Sequence, residues 1–379
     1  MKRLPTLPSV LALLCVFLLL SGCEAMLEKE YVSIEPHKEQ YYADLYSDAL
    51  TAGNYTGLRS AILSFIESGT DYGVVRVYSY DGTMSSDLAN VVYDVCHNDP
   101  LGAYAVEYMT YDYSNIISYY EIYFYITFRV APKELNSIIN CSDIDSAENE
   151  LEDALLQHKY NTALRISNYQ DLDLEALLHR LYLAHPELGI SEPTYTWTLY
   201  PETGVQRILE LRISYPYDLL IMLSRAEDLE EKADEIVSML SAYSNERLRL
   251  RMMYRWIQDH VDYMGEDSRL FRSSYNVLYN GYGGSQGIAM AVQLLCNQLD
   301  IPCFTAEGRY RESSWFWNIL YYDDAWHHFD AAAGLLQEVR QMPDLYDVDM
   351  TDYQWDAEAY PVCVAVESID QPETAEPPG

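Results

Sequence analysis

One order of strands and helices occurs twice in this chain, and no other feature limits its fold as much. Val75-Arg76-Val77-Tyr78-Ser79-Tyr80 returns as Leu164-Arg165-Ile166-Ser167-Asn168-Tyr169, and both stretches alternate as half-buried strands do. A helical stripe follows each: Leu88, Val91, Val92 and Val95 in the first copy, Leu174, Leu177, Leu178 and Leu181 in the second, stopping near Pro100 and Pro186. A strand pair closes each copy. Its second strand alternates through Ile122, Phe124, Ile126 and Phe128, then again through Leu209, Leu211, Ile213 and Tyr215. The offset runs only from 86 residues (Leu88 to Leu174) to 89 (Val75 to Leu164), which predicts a duplicated helix-strand-helix-strand-strand unit over 51–134 and 135–224. Neither copy holds a catalytic constellation, and His97, His158, His179 and His185 read as surface or capping residues.

Charge narrows the partners. Asp+Glu 59 against Lys+Arg 24 gives -35, which repels phosphate backbones and makes nucleic acid an unsuitable partner. Hydrophobic residues at 49% are enough for packed cores, and 36 Tyr beside 8 Phe suits strands with one wet face. Lys2 and Arg3, an apolar run from Leu11 to Leu20, and Leu20-Ser21-Gly22-Cys23 follow one another in the order of an export signal. The last four residues resemble the lipobox of bacterial lipoproteins. That resemblance implies lipidation at Cys23, removal of 1–22, and an extracytoplasmic, membrane-anchored protein. Residues 24–50 read as a tether. Cys96, Cys141, Cys296, Cys303 and Cys363 show no C-x-x-C and no histidine at zinc spacing, so they are expected to be buried free thiols, with no metal and no cofactor.

From Arg225 the pattern is helical. Leu229, Ala233, Ile236, Val237 and Leu240 form one face opposite Glu227, Asp228, Glu230, Glu231 and Asp234. Asn245 is placed as the N-cap of a second helix whose stripe is Leu250, Met253, Tyr254, Ile257 and Val261. A glycine-rich turn, Gly281 to Gly284, then precedes Ser285-Gln286-Gly287-Ile288-Ala289-Met290-Ala291 and an apolar stripe ending at Leu299-Asp300-Ile301-Pro302-Cys303. Strand-like runs follow around Trp317-Asn318-Ile319-Leu320 and Trp326-His327-His328-Phe329-Asp330.

This succession, with Trp355 and Tyr360-Pro361-Val362-Cys363 downstream, resembles the transglutaminase-like superfamily over about residues 245 to 364. The resemblance implies a papain-like α+β domain, placed at 225–366, after the duplicated units, with a Cys-His-Asp triad for acyl transfer on glutamine side chains or peptide bonds. The departures decide the function. The nucleophile position holds Ser285, the histidine position holds Trp315, and only the aspartate is kept, as Asp330. A serine hydroxyl needs an adjacent base, and an indole N–H supplies none. Strand alternation gives Trp315 the inward direction of the family's histidine, with Asp330 as acceptor for its N–H. His328 lies on the Asp330 side of its strand and is the candidate to rescue Ser285. His327 points away, His260 lies on the helix that Asn245 opens, and Cys296 is three turns from Ser285.

The sequence therefore reads as a surface lipoprotein whose transglutaminase-like domain has lost catalysis and serves in binding or scaffolding. Ser285, Gln286, Trp315, Trp317 and Asp330 are the candidate groove residues for a peptide or cell-wall stem peptide. The competing reading is an active serine-dependent amidase, peptidase or acyl transferase. Asp344, Asp347, Asp349, Asp352 and Asp356 lack the spacing and glycine of a calcium loop and read as a solvated acidic stretch. Residues 367–379, with three prolines and no period, read as a disordered tail.

Overall fold

The computed structural model describes residues 49–336 and 350–364. Cys23, the tether to residue 48, the acidic residues Asp344, Asp347 and Asp349, and the 367–379 tail lie outside them. The fold is α+β.

The first unit runs β1 (Leu50–Ala52), α1 (Tyr55–Glu67), β2 (Tyr72–Tyr78), α2 (Met84–Asn98), α3 (Pro100–Ala105), β3 (Val106–Ile116) and β4 (Tyr119–Phe128). Asn54 starts α1 by accepting from the Gly57 N–H at 2.8 Å, and Leu58, Ile62, Phe65 and Ile66 form its buried stripe. The second unit runs β5 (Ile139–Cys141), α4 (Ile144–Leu156), β6 (Asn161–Ile166), α5 (Leu174–Ala184), β7 (Thr194–Tyr200) and β8 (Arg207–Ser214). Asp143 and Ser146 close a capping box on α4.

The two sheets have one topology, β1-β2-β4-β3 and β5-β6-β8-β7, each with a parallel first pair and antiparallel pairs thereafter. Register repeats as well: Leu50 lies opposite Val75 and Ile139 opposite Leu164. One element departs from the expected unit. Each copy opens with a three-residue strand, β1 or β5, too short to carry a readable alternation.

The units stack in series. Helix α3 of the first lies on the far face of the second sheet, so Ala163 and Ile208 join the first core. There Arg129 bonds Glu210 at 3.1 Å and lies over the rings of Tyr104 and Tyr200, at 5.0 and 4.5 Å. The helices of the second unit pack in turn against Ala289, Met290 and Phe316 of the C-terminal region. His179 takes part in that junction, bonding Glu307 at 3.1 Å, and His158 is buried with its ring stacked on Tyr215. His158 is buried rather than on the surface, with Nδ1 meeting Leu156 O at the end of α4, and His179 is half-buried. His97 and His185 match the capping and surface reading: His97 Nδ1 meets Tyr93 O at the end of α2, and His185 lies between Glu152 and Glu187.

The C-terminal region has α6 (Leu219–Leu240), α7 (Glu246–His260), a two-stranded pair of β9 (Asp262–Tyr263) and β10 (Tyr282–Gly283), and α8 (Ser285–Gln298). Asn245 caps α7 by accepting from Leu248 N–H at 3.2 Å. Then come β11 (Cys303–Tyr310), β12 (Ser313–Tyr322), β13 (Ala325–Phe329), α9 (Ala331–Leu335) and β14 (Tyr353–Trp355), in an antiparallel sheet of order β13-β12-β11-β14. Helix α8 is buried from Ser285 through Cys296. A helix wrapped on every side must be apolar on every side, which explains Ile288-Ala289-Met290-Ala291-Val292. Gly287 lets it sit close: a Cβ there would lie 2.6 Å from Phe271 O.

Candidate functional site

Ser285 is the first residue of α8, preceded by Gly284 in extended conformation. It is fully buried. Its Oγ accepts the Phe316 N–H at 3.2 Å, and its own N–H donates to Glu266 Oε1 at 2.6 Å. Tyr263 O–H donates to the same Glu266 oxygen at 3.1 Å. A carboxylate thus occupies the positive end of the helix, where a thiolate would otherwise be stabilised.

Trp315 stands on the face of β12 opposite to Phe316. It is 3% exposed, and its Nε1–H donates to Asp330 Oδ2 at 2.7 Å. Tyr263 and Tyr310 flank the indole at ring separations of 5.6 and 5.4 Å. Asp330 also accepts Tyr353 O–H at 2.6 Å, and through Oδ1 it caps α9 by accepting Ala333 N–H at 2.8 Å. Burial pushes the Asp330 carboxyl up, opposed by the hydrogen bonds from Tyr353, Ala333 and Trp315. Those donors account for a buried carboxyl that no imidazole uses.

The other groups have separate partners. Trp317 is buried and donates Nε1–H to His328 Nδ1 at 3.0 Å, and His328 packs on Trp355 at 5.0 Å. Burial drives the His328 pKa down to about 4, so it is neutral near pH 7 and already spends one nitrogen on Trp317. His327 stacks on Tyr322 at 4.0 Å, and His260 Nδ1 meets Trp256 O at 2.8 Å. Among the described residues none of the three imidazoles is hydrogen-bonded to the Ser285 hydroxyl, which accepts the Phe316 N–H. Cys296 lies farther along α8, and burial pushes its neighbour Cys303 well above the usual thiol range.

The five candidate groove residues do not form an open lining. Ser285, Gln286, Trp315, Trp317 and Asp330 are 0, 1, 3, 1 and 5% exposed. Gln286 Nε2 is buried without a hydrogen-bond partner among the described residues. Of the acidic stretch, Asp352 is ion-paired to Arg311 at 2.9 Å and Asp356 caps Glu358 N–H at 3.1 Å, so both have structural partners. Among the described residues no cluster of His, Cys, Asp or Glu is arranged to hold a metal.

Sequence reading missed Glu266, Tyr263, Tyr310 and Tyr353. Glu266 lies in the loop between β9 and β10, and Tyr353 lies among the acidic residues, 23 positions from the carboxylate it meets. Neither has a periodic signal; only tertiary structure brings them to the site.

No protein-family model matches the sequence, and no curated protein matches it. Solved structures do. A TGase aligns at TM-score 0.27 and 11% identity, covering 51% of this chain and 59% of that one. A candidate cysteine protease from Cytophaga hutchinsonii aligns at TM-score 0.26 and 14% identity, covering 37% and 62%. A candidate protease from Parabacteroides distasonis aligns at TM-score 0.23 and 10% identity, covering 57% and 47%. The chain therefore spans less than two thirds of the length of each.

Proposed function

We propose that residues 225–366 are a transglutaminase-like domain without catalysis, carried by an envelope lipoprotein whose work is binding or scaffolding. The observation that carries this reading is the buried Trp315 Nε1–H to Asp330 bond of 2.7 Å. In an acyl-transfer site the carboxylate would orient an imidazole, and the imidazole would take the nucleophile's proton. Here an indole stands in the imidazole's place. It has no basic nitrogen, and Ser285 Oγ has an amide donor rather than a base as its partner. Losing nucleophile and base together removes the coupled unit as a whole.

The anchor in this reading is Cys23, on the strength of its lipobox, and no helix of the described residues is long and apolar enough to cross a membrane. A peptide or cell-wall stem peptide remains the ligand class, taken up on surfaces outside the buried Ser285 cluster. Incubation of the purified chain with glutamine-donor and peptide substrates tests the catalytic half of the proposal. The expected result is turnover no faster than buffer; turnover that disappears in Ser285→Ala would support the serine enzyme instead.

A further inference from the structure

The first unit ends in a long hairpin. Strand β3 is 11 residues long and stands at the end of its sheet, paired only with β4. Ile117 and Ser118 make a two-residue turn, and Ile116 lies opposite Tyr119. In such hairpins the flanking pair is hydrogen-bonded, and bonded and non-bonded pairs then alternate. The N–H and C=O groups of Asn115, Tyr113, Tyr111 and Met109 therefore point away from β4, and no strand among the described residues takes them. Side chains leave the edge accessible: Tyr108 is 57% and Tyr113 41% exposed.

Proteins usually blunt such an edge with lysine, proline, a bulge or brevity. β3 has neither Lys nor Pro, and its one irregularity falls at its start, between Val106 and Tyr108. Its counterpart β7 has 7 residues, ends against α3 through Tyr200 and Tyr104, and is followed by Pro201. The first edge is the unprotected one.

Charge selects the occupant. From Val106 to Phe128 the only charged residues are Glu107, Asp112 and Glu121. Glu121 is paired with Arg76 at 3.0 Å, while Glu107 and Asp112 have no ion pair among the described residues. A second copy would bring the same carboxylates and a net charge of -35. We propose that the outer edge of β3 takes an extended peptide segment bearing Lys or Arg on alternate residues, which adds as a fifth strand. Main-chain bonds to Met109, Tyr111, Tyr113 and Asn115 supply the affinity, and cationic side chains beside Asp112 supply the selection. The edge belongs to the first unit and does not depend on the reading of the C-terminal domain.

Fluorescence anisotropy of the full chain at low salt, titrated against a labelled peptide alternating Lys with Thr and Val, tests the proposal. Saturable binding that weakens with salt is expected. So is a loss of about tenfold in Asp112→Lys, about the effect of one charge contact, and a loss of at least about a hundredfold when the probe is N-methylated on the alternate residues that face β3, because several main-chain bonds go together. The same probe with Glu for Lys should not bind. Tyr111→Pro removes one outward N–H without breaking the ladder to β4 and should cost about tenfold, the effect of one hydrogen bond. No saturable binding, or equal binding of the N-methylated probe, overturns strand addition. Light scattering that finds a dimer dissolved by Tyr111→Pro assigns the edge to a second copy and overturns the peptide.

Discussion

Trp315→Ala is expected to destabilise the C-terminal region by about 3–5 kcal/mol, the usual cost of emptying a buried tryptophan site. The side chain is 3% exposed between Tyr263 and Tyr310, so its removal opens a cavity between two aromatic rings. It also deprives Asp330 of a donor in a place where water does not easily replace it. Trp315→Phe separates the two effects. Phenylalanine retains much of the packing but loses the N–H and part of the bicycle, so a smaller loss of about 2 kcal/mol is expected, because Tyr353 and Ala333 still hold the carboxyl. Chemical denaturation followed by tryptophan-independent circular dichroism measures both. Equal midpoints for wild type and Trp315→Ala would show that the indole is not packed as described.

A cysteine placed at position 285 is expected to remain a thiol at neutral pH, alkylated by iodoacetamide at least about tenfold more slowly than an exposed cysteine. A bare helix N-terminus lowers a thiol pKa, and a histidinium lowers it further. Neither acts here. The residue 285 N–H is committed to Glu266 Oε1 at 2.6 Å, the carboxylate lies beside the site, and among the described residues no imidazole is hydrogen-bonded to Ser285. Full burial also disfavours the charged form. Adding Glu266→Gln to Ser285→Cys should speed alkylation at that residue, read by peptide mass spectrometry so that Cys96 and Cys363 do not interfere. Rapid reaction of the single variant would mean that the helix end is not neutralised by Glu266.

How much of this was legible in the sequence follows from which interactions have a period. The alternation of Val75 and Val77 and the 3.6-residue stripe of Leu88, Val91 and Val95 repeat themselves in the second unit, and the sheets and helices lie there. The inward direction of Trp315 is also periodic, since β12 sends alternate residues to opposite faces. Phe316 shows the limit: alternation sets it on the face opposite Trp315, and it is buried because the second unit packs there. The stacking of α3 on the second sheet rests on Arg129 meeting Glu210, 81 positions away, and no local pattern announces such a pair. The same holds for Glu266 at the start of α8. Its carboxylate has the geometry of a helix cap, yet it lies 19 residues before the residue it serves, beyond any capping-box spacing.

The proposed loss of catalysis requires that Ser285 not be an activated nucleophile. Treatment of the folded full-length chain with a fluorophosphonate, which phosphonylates only serines whose proton is taken by a neighbouring base, tests it most directly, with the adduct located by intact-mass and peptide mass spectrometry. No adduct at Ser285 is expected, because among the described residues its Oγ meets only the Phe316 amide, and Trp315 offers no base. An adduct on Ser285 in the wild type, absent from Ser285→Ala and from unfolded protein, would contradict it.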